Sequence, residues 1–66
     1  MQLKINDIDK EFEEGITIDQ IMQRLQVKDK VMAVAVNMDI VKKDSWNSFV
    51  PKEGDEIEML HFVGGG

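Results

Sequence analysis

The groups with the clearest chemical potential stand at the end of the chain, where Gly64, Gly65 and Gly66 follow one another and carry the α-carboxylate. Lacking Cβ atoms, these residues reach backbone conformations closed to other amino acids and fit a channel too narrow for a side chain. With Val63 they span about 13 Å when extended, comparable with the radius of gyration of about 11 Å expected for so short a chain. The Gly66 carboxylate can therefore enter a site on another protein that the globular body cannot. Ordering such a tail costs roughly 1 to 2 kcal/mol of backbone entropy per residue, so affinity must come from elsewhere. Leu60 and Phe62, just ahead of it, are placed to form a partner-docking patch. Blander readings stand beside these: terminal glycines are often frayed chain or a remnant of expression, and Leu60 and Phe62 can equally be packed under a loop or against a sister subunit. Against the first, the last predicted strand runs into the glycines with no polar spacer.

Other chemistry is scarce. There is no cysteine among the 66 residues, which removes disulfides, thiolate nucleophiles and Cys-based zinc sites together. The one histidine, His61, falls by strand alternation on the same side as the core residues Ile57 and Met59, though near the strand end, and has no triad or ligand partner in spacing, so it reads as structural or as a rim contact. Trp46 is expected to cap one end of the core with its indole N–H on a backbone acceptor. The five methionines are scattered and read as gap-fillers. A chain this short makes one domain, residues 1–63, with residues 64–66 as a flexible tail, and leaves little room for a deep cleft. No catalytic residue, metal site or bound cofactor is expected in it. Eight Lys and Arg against thirteen Asp and Glu give a net charge of -5 without a basic cluster, which argues against nucleic acid as a partner. The acidic surface is a solvated face that can also steer docking toward basic surfaces. The N-terminal MQLKINDIDK is not a signal sequence and no apolar run approaches the roughly 18 residues that span a bilayer, so a cytoplasmic location away from membranes is expected.

The elements that position these residues follow from periodicity. Met1, Leu3 and Ile5 alternate with Gln2, Lys4 and Asn6, the period of a half-buried strand. Asn6 to Asp9 supplies a turn, and Lys10 to Glu14 around Phe12 returns as a charged edge strand. After Gly15, Thr17-Ile18-Asp19-Gln20 has the form of a capping box, and Ile18, Ile21, Met22 and Leu25 recur at helical spacing. A polar turn, Gln26 to Lys30, precedes the apolar run Val31 to Val36, an interior strand with Val34 and Val36 in the core. Asn37 to Asp39 turns into the short strand Ile40-Val41, Lys43 to Ser48 around Trp46 makes an irregular or single-turn connection, and Pro51 to Gly54 turns into a last strand over 55–63. Its alternation sets Ile57 and Met59 toward the helix, with Glu56, Glu58, Leu60 and Phe62 on the open face. A hairpin, one helix and three further strands bury these stripes as an α+β fold, a ubiquitin-like β-grasp with a mixed sheet of four to five strands and one main helix on one face.

Four stretches, MQLKIND, GITIDQIMQRL, AVNMDIVKKDSW and EGDEIEMLHFVGGG, resemble the ThiS family of sulfur carrier proteins of thiamine biosynthesis, over essentially the whole chain. The last is the most specific, since such carriers end on a Gly-Gly matched here by Gly65 and Gly66, with a small residue tolerated at Gly64 and nothing after Gly66 to be trimmed. The resemblance implies a carrier rather than an enzyme. An E1-like, ThiF-type partner would use ATP to adenylate the Gly66 carboxylate, a persulfide system would supply sulfur for a thiocarboxylate, and a ThiG-like thiazole synthase would receive it through a narrow channel threaded by Gly64 and Gly65. The small subunit of molybdopterin synthase or another Gly-Gly sulfur carrier, and a plain β-grasp interaction module with incidental glycines, are the alternatives.

Overall fold

The computed structural model describes residues 1–62. Its first strand, β1 (Gln2–Ile5), turns back into β2 (Ile8–Glu11). The connecting turn is tighter than expected: Asn6 and Asp7 alone make it, at φ 48 and 69, which Asn and Asp tolerate better than most residues. Register Ile5↔Ile8 follows, so β2 begins at Ile8 rather than Lys10, and Phe12 lies buried just beyond its end. The capping box is present, with the Thr17 hydroxyl accepting from the Gln20 N–H at 3.1 Å and the Gln20 side chain accepting from the Thr17 N–H at 3.0 Å. It opens helix α1 (Ile18–Arg24), whose Ile18, Ile21 and Met22 are buried on the sheet. Arg24 at the end of the helix forks onto Glu13, a hydrogen-bonded pair that holds the Glu13 carboxyl at about 2.

A 3-10 turn, Lys28–Lys30, leads into β3 (Val31–Val36), and β4 (Asp39–Val41) pairs back on it. A second 3-10 turn, Lys43–Ser45, brings Trp46 into the core, where its indole N–H donates to the Val41 carbonyl at 2.9 Å. The last strand, β5 (Glu56–His61), completes a five-stranded sheet in the order β2-β1-β5-β3-β4. It lies between β1, to which it is parallel, and β3, to which it is antiparallel. This is the expected mixed sheet with one helix on one face. The methionines divide: Met22 and Met59 fill the core, but Met32 and Met38 are exposed, so the gap-filler reading fails for those two.

Both hairpin turns also fasten β5. Asn6 donates from Nδ2 to the Met59 carbonyl at 3.2 Å and accepts from the Met59 N–H at 2.8 Å, so its side chain extends the β1–β5 ladder. On the other flank Asn37 accepts from the Glu56 N–H at 2.9 Å and donates to the buried Asp55 carboxylate at 2.9 Å. The residue after Asn37 is less well suited to its place. Met38 sits at φ 74 with its side chain 86% exposed, so burial returns nothing for the left-handed strain. That strain costs about 1 to 2 kcal/mol, and glycine removes it while adding about 0.4 to 1 kcal/mol of unfolded-state freedom. Met38→Gly is expected to stabilise the fold by about 0.5 to 1 kcal/mol, read as a higher urea midpoint in Trp46 fluorescence. A lower midpoint would show that Met38 makes a stabilising contact.

Candidate functional site: the end of the last strand

The site is built where β5 leaves the sheet. Pairing with β1 is confined to Glu56 and Ile57, extended by the Asn6 side chain as far as Met59. Beyond that point β5 has a neighbour on the β3 side alone. Its last anchor is the Phe62 N–H, which donates to the Lys30 carbonyl at 2.9 Å. Leu60 and Phe62 are 60% and 61% exposed, on the face away from the helix, as alternation predicted. Of the two readings of His61, buried structural residue or rim contact, its position fits the rim. It pairs with Val31 on the core-facing side, yet it is exposed, because the open flank of β5 leaves it uncovered at the strand's end. Val63 and Gly64, Gly65 and Gly66, with the expected end of the last strand and the tail, lie outside the described residues.

Two features of this face were not evident from residue types. Between Val31 and Ala33 the β3–β5 register shifts, so two residues separate the buried Val31 and Val34 instead of one. The bulge turns both Met32 and Ala33 away from the core, and Met32 is half exposed near the strand end. Further along β3, Ala35 pairs with Ile40 of β4 and Glu58 of β5. Ala33 and Ala35 make the floor of a shallow groove of about 290 Å³ whose rim includes Ile40, Leu60 and Glu58. Ile40 is 70% exposed. The available signal was the pair of alanines two apart in an interior strand, where β-branched residues are favoured.

None of the described residues near this face is arranged for acid–base chemistry. Among the described residues no group of three His, Cys, Asp or Glu could hold a metal ion, and no buried side-chain polar atom lacks a partner. The shifted groups belong to surface pairs of the helix: Glu13 with Arg24, and Asp19, lowered by its hydrogen bond to Lys28 and, less strongly, by Gln23. What the geometry offers is an apolar face beside the end of β5, which is held in a fixed register as far as Phe62.

The fold is a ubiquitin-like β-grasp, the architecture of small carrier proteins. The family model described as the ThiS family matches residues 3–66, and the chain belongs to that family, the sulfur carriers of thiamine biosynthesis. A carrier of this kind is a co-substrate and not a catalyst. The chain is 32% identical to the sulfur carrier protein ThiS of Bacillus subtilis, over all of this chain and 98% of that one. It is 33% identical over its whole length to a thiazole synthase of Paramagnetospirillum magneticum, of which it spans only 20%. The crystal structure of the thiamine biosynthesis protein ThiS of Geobacter metallireducens superposes with a TM-score of 0.82 at 26% identity, each chain fully covered. Among the described residues no helix is long and apolar enough to cross a membrane.

Proposed function

We propose that this carrier bears its sulfur on Gly66, with residues 1–63 as the docking body and residues 64–66 as the part that threads into partner sites. The observation that carries the reading is the exposed pair Leu60 and Phe62 at the end of a firmly registered strand, with Val63 alone between them and three glycines. A carboxylate is a poor electrophile because its leaving group would be oxide. In an E1-like partner a Gly66 carboxylate oxygen attacks the α-phosphorus of ATP, pyrophosphate leaves, and the carbonyl becomes an acyl-adenylate. The terminal sulfur of a persulfide then attacks that carbonyl and AMP departs, leaving an acyl disulfide. A thiol reduces the S–S bond, is itself oxidised to a disulfide, and frees the thiocarboxylate. The carrier contributes position, since binding energy from its body holds a small reacting group in a site it does not own. It binds no cofactor of its own, and ATP is consumed by the partner.

Thiazole synthase is the recipient in this reading. Its support is that a stretch matching the whole of this chain occurs within curated thiazole synthases. The work is placed in the cytoplasm, where the ATP-consuming partner would act. Intact-mass measurement after incubation with the adenylating enzyme, ATP and a persulfide source tests the proposal. The expected result is a gain matching exchange of one oxygen for sulfur, and no gain with any cognate enzyme would sink it. The net charge of -5 is expected to speed encounter with a basic partner, so the association rate should fall as salt rises. A salt-independent rate would remove that role for the acidic surface.

A further inference from the structure

We infer that Asn6 is a positioning residue for sulfur transfer: its side-chain amide stands in for the strand that β1 no longer supplies and keeps the exit of β5, Met59 to Phe62, on the sheet. The role in transfer rests on the carrier reading above, whereas the hold on the strand does not. The Asn6 N–H donates to the Ile57 carbonyl at 2.9 Å, and the chain then turns away at φ 48. A continuing parallel strand would offer the next outward-pointing pair, at Met59, an acceptor for its N–H and a donor for its carbonyl. Asn6 offers both from one side chain, Oδ1 accepting from the Met59 N–H at 2.8 Å and Nδ2 donating to the Met59 carbonyl at 3.2 Å. A primary amide carries the donor and the acceptor of a peptide unit. Asparagine also tolerates the left-handed φ that the two-residue turn imposes. Glycine would satisfy that turn and leave Met59 without its partner.

The clamp falls where side-chain anchorage stops. Met59 is 5% exposed and is the last buried residue of β5, whereas Leu60, His61 and Phe62 are exposed. The other flank is interrupted at the same level, because the β3–β5 register shifts between Val31 and Ala33, opposite His61 and Leu60. The exit segment is therefore held by backbone bonds, and on the β1 side beyond Ile57 Asn6 supplies them. Segments held in this way open locally without unfolding the rest of the domain. A partner that takes up the chain end must reorder every residue that has come loose, at an entropic cost for each, and the clamp removes Leu60, His61 and Phe62 from that cost.

Asn37 supplies a matched comparison. It lies at φ 50 and grips β5 with the same two groups at the strand's entry, where Oδ1 accepts from the Glu56 N–H and Nδ2 donates to the Asp55 carboxylate, each at 2.9 Å. Asn6→Gly and Asn37→Gly thus remove the same amide from opposite ends of one strand. Amide hydrogen exchange at Phe62, followed by NMR in the free protein, is expected to quicken about tenfold or more in Asn6→Gly and to stay within about twofold in Asn37→Gly. Phe62 is the informative amide because its acceptor is the Lys30 carbonyl and not Asn6. With adenylating enzyme, ATP and a persulfide source all saturating, sulfur gain by intact mass should slow about tenfold in Asn6→Gly and stay within about twofold of the parent in Asn37→Gly. Adding Met38→Gly to Asn6→Gly should raise the urea midpoint toward that of the parent without restoring the rate, a comparison that holds even if Asn37→Gly fails to fold. A rate restored along with the midpoint, or equal slowing by the two asparagine variants, would make Asn6 a stabilising residue only and overturn the inference. Parent-like exchange at Phe62 in Asn6→Gly would overturn the hold on the strand. Each of these outcomes leaves the carrier reading standing. A parent chain that gains no sulfur would remove that reading and the role in transfer with it, and the exchange rates would still decide the hold.

Discussion

A chain shortened by Gly66 is expected to fold as the parent does and to gain no sulfur under conditions where the parent is fully converted. The shortened chain still ends in a glycine carboxylate, so the loss must come from position. Removing one residue withdraws the reacting group by about 3.5 Å, and a displacement of about 1 Å in a bound reactant is enough to cost about a hundredfold in rate. The fold is indifferent because the last described anchor is the Phe62 N–H on the Lys30 carbonyl, upstream of the deletion. Gly65→Leu separates reach from width. It keeps the full length and the Gly66 carboxylate but puts a branched side chain where the proposed channel admits none, and conversion is expected to slow by about a hundredfold or more. Intact mass follows both variants, and the Trp46 fluorescence midpoint confirms the fold. Full conversion of the shortened chain would place the sulfur somewhere other than Gly66.

Most of the sheet and the helix could be read from periodicity because each has one buried side. Alternation in β1 and β5 and the three- and four-residue spacing in α1 mark that side directly, and the Thr17–Gln20 capping box marks where the helix begins. Periodicity could not place features in which one residue breaks the alternation. The bulge that turns out Met32 is a shift in pairing between strands distant in sequence, invisible inside the apolar run VMAVAV. The edge strand was misplaced by two residues because Asn6 and Asp7 suffice for a turn that the polar run Asn6 to Asp9 made look longer. His61 obeys the alternation and is nonetheless exposed, since cover at that position depends on β1, which has already ended. The same reasoning separates the two kinds of residue at the site. Leu60 and Phe62 were legible as open-face positions, whereas the groove beside them depends on Ile40, brought across from β4 by the hairpin pairing.

Neighbouring positions on β5 should answer truncation in opposite ways. Ile57 is 1% exposed and is paired on both sides, with Ile5 of β1 and Val36 of β3. Ile57→Ala leaves a cavity at the centre of the sheet and is expected to cost about 2 to 5 kcal/mol. A domain of this length has about 3 to 10 kcal/mol of stability in all, so the variant should unfold at a far lower urea concentration and, toward the weaker limit, be largely unfolded without denaturant. Leu60→Ala, three residues on, removes a side chain that water already reaches, and its cost should stay within about 0.5 kcal/mol. The energy that Leu60 does not give to folding is available for association, so the same variant should bind the adenylating enzyme more weakly while its urea midpoint stays put. If Leu60→Ala instead destabilised the fold as severely as Ile57→Ala, the open face would have to be covered in the free protein. The division along a single strand has a mechanical consequence. The residues that fix the strand's register lie on one face and those available to a partner lie on the other, so docking can draw on the outer face without loosening the inner contacts that hold the strand.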